Sequence, residues 1–311
     1  MFKKFIKNNF HFIIFLLISF IILNIKIPYN VETSGGLVNL NNKVIINNQD
    51  NINGTYNLTY VSSYEARVSS YLLSFFDKNM TFAKKEKSID DKSDKLSGKL
   101  LLNNSLSNAY ISVKKLLNKK IDVVNNSIFI AFVGEKSLTN LKVGDKIDSV
   151  NNIKINDISD IQNIIKEKEI GDKLLINEKD YAYIVDINGK KSLNLYLVNN
   201  YEFSDINFNF EKNESGSSGG LMISLIIYDK LNEIDLSKGR IIAGTGTIDS
   251  SGNIGEISGI KYKILGALKS DIFFLPYDNY NEADKFIKEN NISINLVPVK
   301  TLEDAINYLK K

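Results

Sequence analysis

The sequence contains no cysteine and a single histidine, His11, among its 311 residues. The absence of cysteine excludes disulfides, thiolate nucleophiles and cysteine-ligated metal sites. A Ser-His-Asp triad needs an imidazole beside its serine, and the one histidine lies in an apolar N-terminal segment. A histidine-ligated zinc site is excluded for the same reason. Any catalysis must therefore proceed without imidazole or thiol, and we predict no metal and no other cofactor.

The overall composition is that of a folded globular protein. Hydrophobic residues make up 43% of the chain and charged residues 24%, and 311 residues suffice for two or three domains with their own cores. The 39 basic and 36 acidic residues leave a net charge of only +3. No global field therefore indicates nucleic acid as a partner.

The N-terminal segment has the pattern of a membrane anchor. Lys3, Lys4 and Lys7 precede an apolar run from Phe10 to Ile25. The run is slightly shorter than the roughly 20 residues of a spanning helix, but flanking lysines and bilayer thinning compensate for this. We therefore predict a cytoplasmic stub and transmembrane helix in residues 1–27, in the cell membrane, with the rest of the protein outside the cytoplasm. A cleaved signal peptide is the alternative.

The middle of the chain divides into two parts. Residues 28–123 are predicted as an α/β segment, in which the charge run 84–99 is interpreted as a solvated loop. Residues 124–200 contain the stretch "LKVGDKIDSVNNIKI", followed by a predicted helix that Asp157 or Ser159 caps. This order resembles a bacterial PDZ domain, a class that binds extended peptides along a sheet edge. A small α/β domain without an open groove is the alternative.

The stretch "NESGSSGGLMISLIIYDKL" has three glycines within five residues, directly before an apolar run that predicts a buried helix. Glycine is costly to order, so this density indicates a backbone held close to another group. A serine at the junction of turn and helix lies at the positive end of the helix dipole. The free backbone N–H groups there would stabilise an oxyanion. The cluster is therefore a candidate nucleophile site, although a turn serine that caps a helix is the simpler interpretation.

A serine without a histidine needs another base, and a desolvated lysine provides one. The segment "GRIIAGTGTIDSSGNIGEISGIKYKILGAL" predicts a strand, a turn and a helix that carries Lys261 and Lys263. These lysines lie two positions apart, so one faces inward when the other faces solvent. Taken alone, either lysine would be interpreted as an amphipathic surface residue.

Together these segments resemble the proteolytic domain of the Lon family and, more narrowly, membrane-anchored, PDZ-containing Lon-like proteases. The family nucleophile, the serine of a G-P-S-A-G motif, falls on Ser218, and its general base, the second lysine of a G-G-x-K-x-K segment, falls on Lys263. The threonine that holds this lysine matches Thr245. The departures are Ser217 for the motif proline, Gly219 for the alanine and Ser258 for the first glycine before the lysine.

The resemblance implies an α+β, α/β multidomain fold with an N-terminal transmembrane helix, a PDZ-like domain and a Lon-type α/β proteolytic domain at residues 201–311. It implies a Ser-Lys endopeptidase in which Ser218 attacks, Lys263 transfers protons, Thr245 orients the amine, and the backbone at Gly216, Ser217 and Gly219 surrounds the oxyanion. Nothing in the sequence matches G-x-x-x-x-G-K-[ST], so the expected enzyme is ATP-independent and prefers unfolded or exposed polypeptides. Lon-type domains commonly form rings, which implies homo-oligomers. The alternative function is a non-catalytic peptide-binding scaffold.

Overall fold

The computed structural model describes residues 8–46, 52–84 and 91–311. Its α-helices are α1 (Phe10–Leu23), α2 (Val68–Leu73), α3 (Asp91–Leu116), α4 (Ile158–Lys166), α5 (Gly220–Asn232), α6 (Ile260–Gly266), α7 (Tyr280–Glu289) and α8 (Leu302–Lys310). A 3-10 turn, Tyr277–Asn279, precedes α7.

The strands lie mainly in three regions of the chain. The N-terminal ones are β1 (Lys26–Asn39), β2 (Val44–Ile45), β3 (Thr55–Arg67) and β4 (Thr81–Lys84). The middle ones are β5 (Val123–Val133), β6 (Lys146–Ile147), β7 (Ser149–Val150), β8 (Ile153–Lys154), β9 (Lys173–Ile176), β10 (Asp180–Tyr183), β11 (Val185–Ile187), β12 (Lys190–Ser192) and β13 (Leu195–Phe203). The C-terminal ones are β14 (Asn207–Phe208), β15 (Ile241–Gly244), β16 (Thr247–Ile248), β17 (Ile254–Gly255), β18 (Ile272–Pro276) and β19 (Leu296–Val299).

The largest sheet joins the two ends of the chain. Its six strands have the order β19-β18-β15-β3-β1-β4. The C-terminal strands β15, β18 and β19 run parallel to one another, and β15 also pairs in parallel with β3 from the N-terminal region. The strands β1 and β4 complete the sheet in antiparallel pairs. One sheet is therefore built from residues 26–84 and 241–299.

Helices cover both faces of the parallel part of this sheet. Successive residues of a strand point to opposite faces, and strands buried on both faces are apolar throughout, as "IFFLP" in β18 is. On one face, Ile242 and Phe274 pack with residues of α3, α5 and α8. On the other face, Ala243 and Phe273 pack with residues of α6 and α7. The helices α5 and α6 therefore belong to opposite layers.

Residues 123–203 form small sheets around a separate apolar core. The sheets have the strand orders β13-β5-β6 and β10-β9-β7-β8, with the pair β11-β12 beside them. The helix α4 contributes Ile161 to this core, and the predicted cap is confirmed because Asp157 Oδ1 accepts a 2.9 Å hydrogen bond from Ser159 N. A fourth, smaller contact cluster, Leu100 with Ala131 and Val198, connects this unit to α3.

The interpretation of residues 84–99 as a loop is wrong for residues 91–99, which form the first turns of α3. The reason is tertiary packing, since α3 contacts α5, β5 and β13 along its length. Residues 85–90 lie outside the described part of the chain.

The predicted transmembrane helix is wrong, and with it the predicted fold class and cell-membrane localisation. Within residues 8–46, 52–84 and 91–311, no helix combines the length and apolarity that crossing a bilayer requires. The 14 residues of α1 extend about 21 Å at about 1.5 Å per residue, against a hydrocarbon core of about 30 Å. The helix ends at Leu23 because Lys26 already pairs with Arg67 in the six-stranded sheet. The fold is mixed α/β with several sheets.

Candidate active site

The buried hydroxyl of Thr245 connects the two helical layers at the carboxyl end of β15. The Thr245 side chain is fully buried, and its backbone N–H donates to the Phe274 carbonyl of the neighbouring strand at 3.0 Å. Its Oγ1 donates to the Ser218 carbonyl at 3.1 Å and accepts from Lys263 Nζ at 3.1 Å. A hydroxyl provides one donor and two acceptor positions, so both bonds form at once. Thr245 thereby fixes the serine segment relative to the lysine.

Lys263 lies on α6 and points into the protein. The helix begins after Gly259, which has a left-handed backbone with φ of 70°, and this turn directs the first helical residues inward. The Lys263 side chain is 4% exposed, whereas Lys261 lies over the Tyr262 ring at 4.7 Å and is only partly buried. Burial lowers the pKa of Lys263 to about 8, because desolvation disfavours the ammonium form. At a pKa of about 8 roughly a fifth of this amine is neutral near physiological pH, whereas almost none of a free lysine is.

Ser218 lies in the turn before α5. Gly216 has φ of 95°, which a side chain rarely allows, and Gly220 lies where a Cβ would be 2.9 Å from the Ile248 backbone nitrogen. The Gly246 N–H donates to the Ser218 carbonyl at 2.8 Å, and the Gly246 carbonyl accepts from Leu221 N at 3.1 Å. The glycine-serine cluster is thus dense because its backbone packs directly against the segment after β15.

The backbone N–H groups of this turn divide into two kinds. The Gly216 N–H donates to the Gly98 carbonyl at 2.8 Å, so it is occupied within the protein. The N–H groups of Ser217, Ser218 and Gly219 donate to no acceptor in the described part of the chain. They precede α5, a helix of 13 residues whose N-terminus carries partial positive charge. The turn therefore presents unpaired donors suited to an anion.

Ser218 and Lys263 line the same cleft, which has a volume of about 630 Å³. Its walls come from β1, β3, α3, the loop 210–219 and the segment that precedes α6. The Ser218 hydroxyl makes no hydrogen bond to any described residue, and the Lys263 amine bonds to Thr245 rather than to Ser218. Such contacts are often loose before a substrate binds, so this geometry is compatible with proton transfer between the two groups.

Two residues of α3 support the candidate nucleophile turn, residues 215–219, and neither was identified from the sequence. Ser105 Oγ donates to the Ser217 carbonyl at 3.0 Å, and a Cβ at Gly98 would lie 2.9 Å from Ser215 Cβ. Ser217 replaces the proline of the family motif, and the Ser105 bond restrains the carbonyl at this position. A glycine and a serine within a polar helix carry no signal of their own, because only tertiary packing brings them to the turn.

A buried asparagine holds the segment that leads into α6. Asn279 is 1% exposed, and its amide both accepts from Ile257 N at 3.0 Å and donates to the Ile257 carbonyl at 2.9 Å. Ile257 lies two residues before Gly259, so Asn279 fixes the approach to the helix that carries Lys263. Nothing in the sequence around Asn279 distinguishes it from the many other asparagines in the chain.

A serine in a turn with unpaired amides, beside a buried amine, has the groups of a serine hydrolase that uses no histidine. Residues 210–310 match the family model of the Lon protease (S16) C-terminal proteolytic domain. The comparison with curated proteins gave no match. The family match supports a hydrolase of the S16 serine protease family, and it contains all three of Ser218, Thr245 and Lys263.

Proposed function

We propose that the protein is an ATP-independent serine endopeptidase that uses Ser218 as its nucleophile and Lys263 as its general base. The observation that carries the proposal is the buried Lys263 amine, which bonds to Thr245, while Thr245 bonds to the backbone of Ser218. The only imidazole, His11, is exposed on α1 and does not line the cleft. The Lys263 amine is therefore the buried basic nitrogen that the cleft offers.

Acylation begins when Ser218 Oγ attacks the carbonyl carbon of the peptide bond. The neutral Lys263 amine takes the hydroxyl proton and becomes an ammonium, while the carbonyl oxygen becomes an oxyanion. The N–H groups of Ser217 and Gly219 donate to this oxyanion, as does the neighbouring N–H of Ser218. Gly216 supports the turn rather than donating, because its N–H already bonds to Gly98. The ammonium then protonates the leaving amine, and the C–N bond breaks.

Deacylation repeats the same proton path with water. Lys263 takes a proton from a water molecule, whose oxygen attacks the ester carbonyl and releases the new carboxyl end of the substrate. The proton returns to Ser218 Oγ as the ester bond breaks. Thr245 orients the amine in both halves, because its acceptor position fixes one N–H of Lys263 and leaves the nitrogen lone pair free.

The polypeptide substrate of this reaction is unfolded or exposed. The sequence carries no ATP-binding loop of the G-x-x-x-x-G-K-[ST] kind, so this chain does not couple cleavage to active unfolding. The cleft of about 630 Å³ accommodates an extended segment of chain rather than a folded domain. Casein, which lacks a stable fold, is a suitable test substrate.

The test is covalent labelling with a serine-reactive phosphonate, followed by peptide mapping of the labelled residue. We expect the label on Ser218, with casein cleavage lost in Ser218→Ala and kept in Ser217→Ala, a neighbouring hydroxyl in the same turn. A non-catalytic scaffold would take no label and cleave no casein. A label on Ser217 or Ser215 would contradict the assignment of the nucleophile.

The pH dependence of kcat/KM tests whether Lys263 is the general base. The base acts in its neutral form, so kcat/KM should rise with pH through an apparent pKa of about 8 and level off above it. The other titratable side chains that line the cleft are Tyr60 and the carboxyl groups of Glu32, Glu211, Glu214 and Glu256. A rate that stays flat from pH 6 to 9 contradicts lysine as the base, whereas a rise only near pH 10.5 contradicts its burial in the working enzyme.

We also propose that residues 124–200 bind extended peptides in the manner of a PDZ domain. The strand β13 lies at the edge of its sheet, and the cap of α4 bonds to it, since Asp157 Oδ2 accepts from Asn199 Nδ2 and Tyr201 Oη. Peptide recognition by strand addition requires such an edge beside a helix. Added casein should slow amide hydrogen exchange in β13 of the Ser218→Ala variant, and unchanged exchange would contradict this role.

A further inference from the structure

The walls of the candidate active-site cleft are acidic, although the whole chain is slightly basic. Four carboxylate side chains line it, from Glu32 on β1, Glu211 and Glu214 in the loop before the nucleophile turn, and Glu256 after β17. Lys263 is the one cationic side chain among the described residues of the lining, and it is buried with a lowered pKa. An approaching substrate therefore meets predominantly negative charge.

Three of these carboxylates are available to a ligand. The side chains of Glu32, Glu211 and Glu256 make no hydrogen bond and no ion pair within residues 8–46, 52–84 and 91–311. Glu211 and Glu256 are exposed and Glu32 is partly buried, so all three remain accessible from the cleft. Because they come from three separate walls, they surround the cleft rather than forming one surface cluster.

An ion pair within the protein shows how the acidic lining of the cleft binds a lysine. Lys43 Nζ lies 2.9 Å from Glu214 Oε2 and 5.4 Å from the centroid of the Phe210 ring. Both partners line the cleft, and both side chains of the ion pair are largely buried, at 17% and 21% exposed. A carboxylate with an aromatic face is a favourable environment for a primary ammonium. Glu214 is therefore already paired with a lysine ammonium, the kind of group that Glu32, Glu211 and Glu256 would bind.

We infer that the cleft selects polypeptides that carry a lysine or arginine close to the peptide bond that is cleaved, and that Glu32, Glu211 and Glu256 determine this preference. The inference rests on the proposed endopeptidase function and gives it a substrate class. These carboxylates do not raise the pKa of Lys263 back to that of a free lysine, because burial determines its shift. Recognition and proton transfer therefore occupy different parts of one cleft.

The first experiment compares matched peptides. Cleavage sites in casein are mapped, and a fluorogenic peptide around a strong site is made in three forms. The basic position carries lysine, norleucine, which has the same four carbons without the amine, or glutamate. We expect kcat/KM to fall by about tenfold from lysine to norleucine, and further with glutamate, mainly through KM, as expected for a few partly exposed charge pairs. High salt should reduce the difference, since it screens exposed charges.

The second experiment assigns the preference to residues. Glu256→Gln and Glu32→Gln should each reduce the ratio of kcat/KM on the lysine peptide to kcat/KM on the norleucine peptide. Glu256→Lys should raise kcat/KM on the glutamate peptide. Glu303 is an exposed carboxylate on α8 that does not line the cleft, so Glu303→Gln is the matched control and should leave this kcat/KM ratio unchanged. Only the Glu303→Gln control should keep the wild-type kcat and KM on all three peptides, since Glu303 does not line the cleft.

The outcomes separate the inference from the proposed function. Equal cleavage of the lysine and norleucine peptides by the wild-type protein overturns the charge preference and leaves the endopeptidase intact. Failure to cleave any peptide or casein contradicts the endopeptidase. In that case fluorescence anisotropy on the Ser218→Ala variant still decides the preference, since the lysine peptide must bind more tightly than the norleucine peptide for the inference to stand.

Discussion

Residues 210–310 and residues 26–116 contribute different things to the same cleft. The C-terminal region carries the hydroxyl of Ser218, the amine of Lys263 and the threonine between them. The N-terminal region carries none of these groups, but its strand β3 pairs with β15, and its helix α3 contacts the nucleophile turn through Gly98 and Ser105. One region supplies the proposed reactive groups, and the other contacts the strand and the turn that carry them.

This difference shows what a family match leaves out. The match begins at residue 210, yet the sheet that places Thr245 includes β3, and the cleft is lined by Glu32 and Leu102 as well. A segment that consisted of residues 210–310 alone would expose one edge of β15 and the buried face of α5. We therefore propose that the proteolytic unit is discontinuous in sequence, with residues 123–203 inserted between its two parts.

The largest expected effect comes from removing the amine in the C-terminal region. Lys263→Met keeps most of the length of the side chain and removes the proposed proton acceptor, so kcat on casein should fall by about 10²–10⁴, the range of general base catalysis. The unfolding free energy should stay constant or rise at neutral pH, because a buried and partly charged group is replaced by an apolar one.

Lys261→Met is the matched control for the base. This lysine lies two positions away on the same helix and contacts the Tyr262 ring rather than the cleft. It should keep nearly all activity, and its pH–rate profile should match that of the wild type. A comparable loss in both variants would mean that α6 itself, rather than one amine, is sensitive to substitution.

The next effect concerns the glycines of the nucleophile turn. In Gly220→Ala the new Cβ would lie 2.6 Å from Ile248 Cγ2 and 2.9 Å from its backbone nitrogen, and the backbone contact has no means of relaxing locally. We expect a loss of about 1–3 kcal/mol in unfolding free energy, typical of overpacking, together with a large fall in kcat. Urea unfolding and casein cleavage measure the two.

Gly219→Ala separates packing from chemistry in this turn. Its Cβ would contact Leu58 Cδ2 at 3.2 Å and Ile223 Cδ1 at 3.3 Å, which are ends of flexible side chains. The variant restores the alanine of the Lon motif, and we expect at most a mild loss of stability with activity kept. The packing account of the cluster fails if Gly219→Ala is the more damaging of the two.

The strands and helices predicted in the C-terminal region lie close to those of the structure, for a physical reason. Buried strands, the helix after the glycine-serine cluster and the lysine pair all leave local patterns, and the structure brings Thr245, Lys263 and the Ser218 backbone together at those positions. The N-terminal region has no comparable pattern. Gly98 and Ser105 act through contacts distant in sequence, as Asn279 does in the C-terminal region. The apolar run from Phe10 to Ile25 was misassigned because composition alone does not show where a helix ends.

A smaller effect is expected from the N-terminal region, at Ser105. Ser105→Ala removes the hydrogen bond to the Ser217 carbonyl and leaves the reactive groups untouched. Since one hydrogen bond contributes about 0.5–1.5 kcal/mol, we expect kcat to fall about threefold to tenfold with KM almost unchanged. Ser112→Ala on the same helix loses only an intrahelical bond to the Ala109 carbonyl and is the control. Identical kinetics in the two variants would remove Ser105 from the account of the site.

The smallest effect is expected at Asp229, which joins the C-terminal region to the N-terminal region. Asp229 on α5 is fully buried, and its Oδ2 accepts from Tyr56 Oη on β3 at 2.6 Å and from Leu236 N at 2.8 Å. Its other oxygen has no partner among the described residues. Burial raises the pKa of Asp229 to about 7, because desolvation outweighs these two bonds. The carboxyl is therefore largely protonated in the folded protein at mildly acidic pH.

The sign of the resulting pH dependence follows from proton binding. Between about pH 4 and pH 7 the folded protein holds a proton on Asp229 that the unfolded chain releases, so stability falls as pH rises through this window and then levels off. Asp229→Asn should flatten this slope and raise Tm relative to the wild type by a few degrees at pH 8. Tyr56→Phe removes a hydrogen bond that lowers the pKa of Asp229, so the fall in stability should extend to higher pH in this variant. Calorimetry from pH 5 to 8 decides the matter, since an unchanged slope in Asp229→Asn would mean that the contact between β3 and α5 does not depend on this proton.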